Sequence, residues 1–361
     1  MGLGYATPPF VVGMSIPTGV GCSQGGYAGD AGVWMQALAA QCDLLISHPN
    51  VANAAFTHCL PPNLWYVEGA AMDAWWAGQW LLQPTLHPHR IALVFDSGIA
   101  ETTRTLQHNT ALAMAQVHGL RVLGPYLTPQ PLQLELSQHA TGASGGGCTN
   151  LPVLLEACQQ ALADGATALA IVTLCPPVAD ETLDAAYSQA QGIDPIGGYE
   201  AAVSHAVTLA LGVPCAHAPV FADPLAELEC HTIVNPKVAA EVVAPTYLPC
   251  VLAGLRQAPL LVAPHLADPV LALPPSRVAA WVMPCDTLAS PPVLGAWARG
   301  IPVITVASNT SVLNDTAEAV LGAEQAQAYQ RKGLLVPVAS YLEAAGLLGL
   351  WRQGRHLPPN L

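Results

Sequence analysis

Six short apolar runs, each stopped by Gly, Pro or a polar residue, constrain this chain more than any other feature. They are Phe10–Ile16, Asp43–Ser47, Arg90–Phe95, Ala168–Thr173, Val278–Met283 and Pro302–Ala307. An unbroken apolar run of this length suits a strand buried on both faces, because a strand with one wet face alternates. Segments with helical periodicity separate them, at Val33–Gln41, Thr102–His118, Pro152–Ala163, Gly198–Leu211 and Val293–Arg299. Strands alternating with helices imply parallel βαβ units with right-handed crossovers. The expected fold is therefore α/β, a layered parallel-sheet (Rossmann-like) architecture. A length of 361 residues suggests two lobes. The irregular stretch 128–150 marks their boundary, giving an N-terminal lobe 1–140 with a glycine-rich loop and a C-terminal lobe 141–361. Further strands are expected at Arg121–Leu127 and Val213–Ala218. A Trp-rich helix is expected over Tyr66–Leu82, with a mostly helical stretch over Val238–Leu255 and closing helices over Thr316–Arg331 and Val338–Trp351.

The chain is 52% apolar and only 10% charged, with a formal charge of −13 and just two lysines. No basic stripe is available, which excludes nucleic acid and an anionic membrane surface as partners. So little charge also covers a monomer poorly, and a homo-oligomer is expected. No run of 18 apolar residues occurs and the N-terminus lacks the pattern of a signal peptide, so neither membrane insertion nor secretion is expected. The ten cysteines are spread evenly, with no pair separated by two residues. That spacing suits reduced thiols in a cytoplasmic protein rather than a zinc or iron–sulfur site. No cofactor motif is present, and the cofactor is left unknown.

Four loops after strands carry the candidate chemistry, because open α/β sheets bind ligands at their carboxyl edges. The first, Pro17–Gly32, holds Gly19, Gly21, Gly25 and Gly26, whose backbone N–H groups could cradle an anion, with Asp30 at the following helix start. The second, Ser47–His58, offers His48 and His58 for acid–base work and Asn50 as a ligand contact, with Cys59 a weak nucleophile candidate. The third runs from Asp194 through Gly197 and Gly198 to Glu200, with His217 at the next strand end. His205 lies about 140° round the helix from Glu200, at about 100° per residue, and the two do not stack. The fourth pairs Asp286 with Asn309 at adjacent strand ends. Turn and capping roles compete with function at most of these positions.

The blocks IPTGVGCSQGGYAGDA, SHPNVANAA, DPIGGYEAAVSHAVTLALGVPCAHAP and WVMPCDTLASPPVLGAWARGIPVITVASN run through nearly the whole chain. Together they resemble an uncharacterised domain-of-unknown-function family of cyanobacteria and other photosynthetic organisms. That family supplies no catalytic role to carry over. The expected function is an enzyme acting on a small polar, anionic metabolite, with Asp30, His48 and Asp194 catalytic and no metal. The alternatives are a non-catalytic metabolite-binding or regulatory protein, and a structural or assembly protein docking through Trp65–Trp80.

Overall fold

The computed structural model describes residues 8–354 apart from Phe56, His58, Cys59, 180–185 and 223–232. In chain order its strands are β1 (Val11–Met14), β2 (Leu44–Ser47), β3 (Leu64–Tyr66), β4 (Leu81–Gln83), β5 (Arg90–Phe95), β6 (Arg121–Leu127) and β7 (Leu134–Gln138). The second half adds β8 (Ser144–Cys148), β9 (Ala168–Leu174), β10 (Cys215–Val220), β11 (Leu260–Val262), β12 (Val278–Pro284), β13 (Val303–Val306) and β14 (Leu335–Val338). Six of them form one parallel sheet in the order β14-β13-β12-β1-β2-β3. Four form a second parallel sheet, β10-β9-β5-β6. The layered α/β architecture read from the apolar runs is the architecture observed.

The strands are apolar throughout because alternate residues feed different cores. On β12, Ala280 and Val282 join a core shared by both sheets, while Trp281 and Met283 join a separate core on the far face. On β5, Leu93 and Phe95 enter the same shared core, while Ala92 and Val94 pack outward against another. The shared core therefore lies between the two sheets. Helix Leu248–Arg256 runs through it with Leu248 to Leu255 all buried. A helix apolar on every side belongs in such a layer.

The sheets do not divide at residue 140. The six-stranded sheet takes residues 11–66 and 278–338, and the four-stranded sheet takes residues 90–127 and 168–220. The segment expected as one helix over Tyr66–Leu82 is three pieces: β3, a helix Gly69–Trp76, and β4, which pairs with β11. Glu68 starts that helix, its Oε2 accepting from Ala70 N at 2.8 Å and Ala71 N at 3.1 Å. Trp75 and Trp76 are buried with Trp281 in the far-face core, so they form packing rather than a docking surface. The irregular stretch after residue 128 contains an antiparallel hairpin, β7 with β8. Gly146 is required there, at φ +152°, since a Cβ would lie 2.2 Å from Glu135 O and 2.6 Å from Tyr199 Cβ. The last expected helix starts only at Tyr341, after β14, and the stretch 316–331 splits at Gly322 (φ +78°) into Ala317–Leu321 and Ala323–Arg331.

Candidate functional site

The carboxyl ends of both sheets open onto one cleft of about 1050 Å³. The first sheet contributes Ser15 and Thr18 after β1, His48 after β2, and Ser290 after β12. The second contributes Leu174 to Val178 at the end of β9 and Pro219 to Ala222 at the end of β10. Helix Gly197–Leu211 crosses between them and carries Glu200, Ser204 and His205 into the lining.

Glu68 organises one wall. Its Oε2 starts helix Gly69–Trp76, and its Oε1 accepts from Ser204 Oγ at 3.2 Å and from Nδ1 of His205. Burial alone would lower the His205 pKa, but the Glu68 hydrogen bond and the charges of Glu68 and Asp73 outweigh it, and the net shift is upward. Asp73 lies one turn along the same helix and is pushed up to about 6, chiefly by burial. Gly69 makes room for this arrangement, because a Cβ there would sit 2.7 Å from His205 Cε1.

A second group lies around Glu200 and His217. The Nε2 of His217 bonds Thr173 Oγ1 at 2.7 Å, and Thr173 Oγ1 bonds the Tyr199 hydroxyl at 3.1 Å. Nδ1 of His217 is buried without a hydrogen-bond partner, 3.6 Å from Glu200 Oε1. Burial drives the His217 pKa down to about 3 and raises Glu200 to about 8. Asp194, raised to about 7 by burial and by Glu200, accepts from Ile196 N at 2.9 Å. Glu241 is raised to about 8 by burial and by Asp194, and accepts from the Tyr187 hydroxyl at 2.7 Å. Among the described residues no group of three or more His, Cys, Asp or Glu side chains converges tightly enough to hold a metal ion.

Residues 11–358 match the family described as a protein of unknown function, DUF3326. The chain belongs to the DUF3326 family. It is also 37% identical to an uncharacterized lipoprotein of a Synechococcus strain, over 94% of this chain and 90% of that one. The resemblance to an uncharacterised family with cyanobacterial members is thus established.

In this DUF3326 chain, His48, Asp194, Asn50, Glu200, His217 and Gly26 all line the cleft. His48 does so as a structural group: its Nε2 accepts from Ile16 N at 3.0 Å, and burial together with the nearby His205 lowers its pKa to about 4. Asn50 likewise spends its amide on Ile16 O at 2.8 Å and Gly25 O at 2.9 Å, tying the glycine loop to β1.

Asp30, Gly19, Gly21, Gly25, Gly197, Gly198, Asp286 and Asn309 are outside the cleft lining. Asp30 folds the glycine loop, its Oδ1 accepting from Gly25 N at 2.7 Å and Tyr27 N at 3.4 Å. Several more N–H groups of the loop are taken, Ser23 N by Thr310 O, Gln24 N by Asn309 Oδ1 and Ala28 N by Glu241, and in the third loop Gly198 N is taken by Ser144 Oγ. Gly19 and Gly198 both close on Ser144, where a Cβ would meet its Oγ at 2.3 Å and its carbonyl O at 2.2 Å respectively. Asn309 is buried, holding Gln24 O and the Tyr341 hydroxyl, and Asp286 accepts from Ser311 N at 2.7 Å. These contacts pack the glycines and amides named into the crossover. His58 and Cys59 lie outside the described residues.

Glu68, Asp73 and Glu241 were not singled out from the sequence. Glu68 carried one usable signal, an acidic residue immediately before a Gly-Ala-Ala helix start, which the longer expected helix concealed.

Proposed function

We propose that the protein is an enzyme that moves protons on a small polar metabolite held in the cleft between its two parallel sheets. The observation that carries this reading is the Glu68–His205 pair. A carboxylate that fixes one imidazole nitrogen sets the ring's orientation and leaves the other nitrogen for a substrate. The His205 side chain is 41% exposed while Glu68 is 2% exposed, so the charge partner is buried and the working group faces the cleft. Buried carboxylates with raised pKa values in the same cleft supply acids and bases matched to neutral pH.

The ligand's charge follows from the lining. Among the described residues the cleft has no Lys or Arg, and the stretches 180–185 and 223–232 contain none in sequence. With several loop N–H groups also engaged, an anionic ligand finds few donors, and the reading shifts to a neutral or cationic one. Incubation of the protein with a fractionated metabolite extract, followed by mass spectrometry, tests the proposal. Wild type converts a component, and His205→Asn binds it without converting it. A component that binds and stabilises wild type but is never converted would replace the enzyme reading with a metabolite-binding one.

We also propose that the protein works in the cytoplasm as a homo-oligomer. Exposed Leu112 and Val117 on helix Glu101–His118 and Leu127 on edge strand β6 support an interface, which light scattering in solution tests by mass. The relative's name, lipoprotein, raises the question of a lipid anchor. Cys22 itself is 2% exposed and follows β1, a central strand, so in the folded chain its thiol is out of reach.

A further inference from the structure

Asp194, Glu200 and Glu241 gather around one end of the cleft, and the Glu68–His205 pair uses none of them. Asp194 feels the charge of Glu200, and Glu241 feels that of both, yet they do not converge tightly enough to share one metal ion. Tyr27 stacks on Tyr187 at a ring separation of 4.9 Å beside them, and the Tyr187 hydroxyl is bound to Glu241. A second observation is independent of the acids. His217 has a side chain only 2% exposed, yet its Nδ1 has no partner and points toward Glu200 Oε1 across 3.6 Å. Leaving a buried polar nitrogen unpaired is costly unless a ligand completes it. The Glu200 carboxylate makes no hydrogen bond among the described residues either, its approach to His217 being 3.6 Å.

We propose that this end of the cleft seats a protonated amine of the ligand, its N–H groups bridging Glu200 and His217 Nδ1. The inference rests on the cleft being the ligand site, and it names the ligand's chemical class. An ammonium supplies the positive charge that three buried carboxylates lack and donors for both unpaired groups, whereas the Tyr27 ring already has Lys237 Nζ over it at 5.6 Å. The wide spacing of the acids suits a diamine better than a compact metal ion.

The empty cleft keeps its acids largely protonated. Burial holds Glu200 near 8, and burial with repulsion from the neighbouring carboxylates holds Glu241 near 8 and Asp194 near 7. Of the groups around them, His217 stays uncharged and the phenols of Tyr27, Tyr187 and Tyr247 are raised further, while Lys237 is a cation held by Ser23 O over the Tyr27 ring. The imidazole of His205 lies one turn along the helix and is occupied by Glu68. An arriving amine therefore displaces protons, and its affinity rises with pH.

Calorimetric titration of the full chain with putrescine, at pH 6.5 and 8.5, tests this without any turnover. Putrescine binds about tenfold or more tightly at the higher pH, with proton release, since each proton displaced changes affinity by up to a decade per pH unit. Glu200→Gln and Asp194→Asn, each verified folded by its melting curve, weaken binding by about tenfold, the worth of one lost charge-assisted bond. Tetramethylammonium, which has charge but no N–H donor, binds more weakly than putrescine. Absence of putrescine binding overturns the proposal, as does equal binding of tetramethylammonium or Mg²⁺, or preferential binding of sorbitol or inorganic phosphate. Those results leave the conversion assay untouched, so the amine assignment and the enzyme reading fail separately.

Discussion

Gly69 lies beneath the imidazole of His205, so close that a Cβ there would stand 2.7 Å from Cε1. The ring is partly exposed and can move, whereas the backbone of Gly69 opens a helix and can accommodate alanine. Gly69→Ala therefore pushes His205 off Glu68 without unfolding the protein. The melting temperature holds or rises, because alanine favours a helix over glycine. Conversion of an identified substrate falls about 100-fold, the scale expected for a misplaced catalytic group. A variant with unchanged conversion would remove His205 from the reaction.

The upward shift of His205 depends on Glu68, since burial works against it. In Glu68→Gln the imidazole pKa falls, which NMR titration of the ring resonances reads directly. The glutamine carbonyl still accepts from the helix amides, so the fold survives. In wild type the pair's contribution to stability is full below the unfolded histidine value of about 6.5 and is lost as pH rises through the raised folded value. Glu68→Gln flattens that part of the stability profile.

Glu200 shifts in the same direction as His205, but here the raised value marks a cost to the folded state. Its folded pKa, near 8, is above the unfolded value, so between roughly pH 4 and 8 the folded chain holds a proton that the unfolded chain has released. Stability from this group therefore falls as pH rises across that window. Glu200→Gln removes the penalty and melts higher than wild type at pH 8, by an amount on the order of 1–2 kcal/mol, since a quarter of the side chain opens to the cleft and is screened. Equal melting at pH 5 and a gap at pH 8, measured by calorimetry, are the expected pattern.

Gly13 on β1 has its face filled by Trp281, whose Cε3 would lie 1.9 Å from an added Cβ. Trp281 is fully buried and donates through Nε1 to Ser15 Oγ at 2.9 Å. Gly13→Ala overpacks this contact and destabilises by about 3 kcal/mol or prevents folding. Adding Trp281→Leu in the same chain relieves the clash, and the double variant is more stable than the single glycine variant. Chemical denaturation of both measures the coupling.

Cys22 is buried in the loop behind β1, and burial raises its thiol pKa, with Asp286 and Asp30 adding to the effect. Ellman's reagent therefore modifies this thiol only on unfolding, and reaction of the native protein at the rate of a free thiol would show Cys22 to be accessible.

The strands were legible because strands buried on both faces need apolar residues at consecutive positions, as in Ile91 to Phe95. The hairpin was not, because Gly145, Gly146 and Gly147 bring no side chains and hence no pattern. Within the site, Glu200 and His217 were visible as polar residues at a helix start and a strand end. The 140° offset of His205 from Glu200 was also readable, and it is the reason the two meet different partners, Glu68 and His217. What joins Glu68 to His205, or Glu241 to Tyr187, is tertiary crossing alone, since these pairs lie on separate elements far apart in the chain. The glycine-rich loop illustrates the converse: conspicuous in sequence, it has packing reasons for its glycines that sequence hides, Gly19 closing on Ser144 and Gly26 on Cys22.

β1 sits at the centre of its sheet, between β2 and β12, and β12 begins only at Val278. On the ribosome the first strand is therefore made long before one of its two neighbours exists. The four-stranded sheet, encoded wholly within residues 90–220, is complete by then. Synthesis thus exposes an apolar strand for the time needed to translate most of the chain, a topology of high contact order that favours slow closure and places a demand on chaperones.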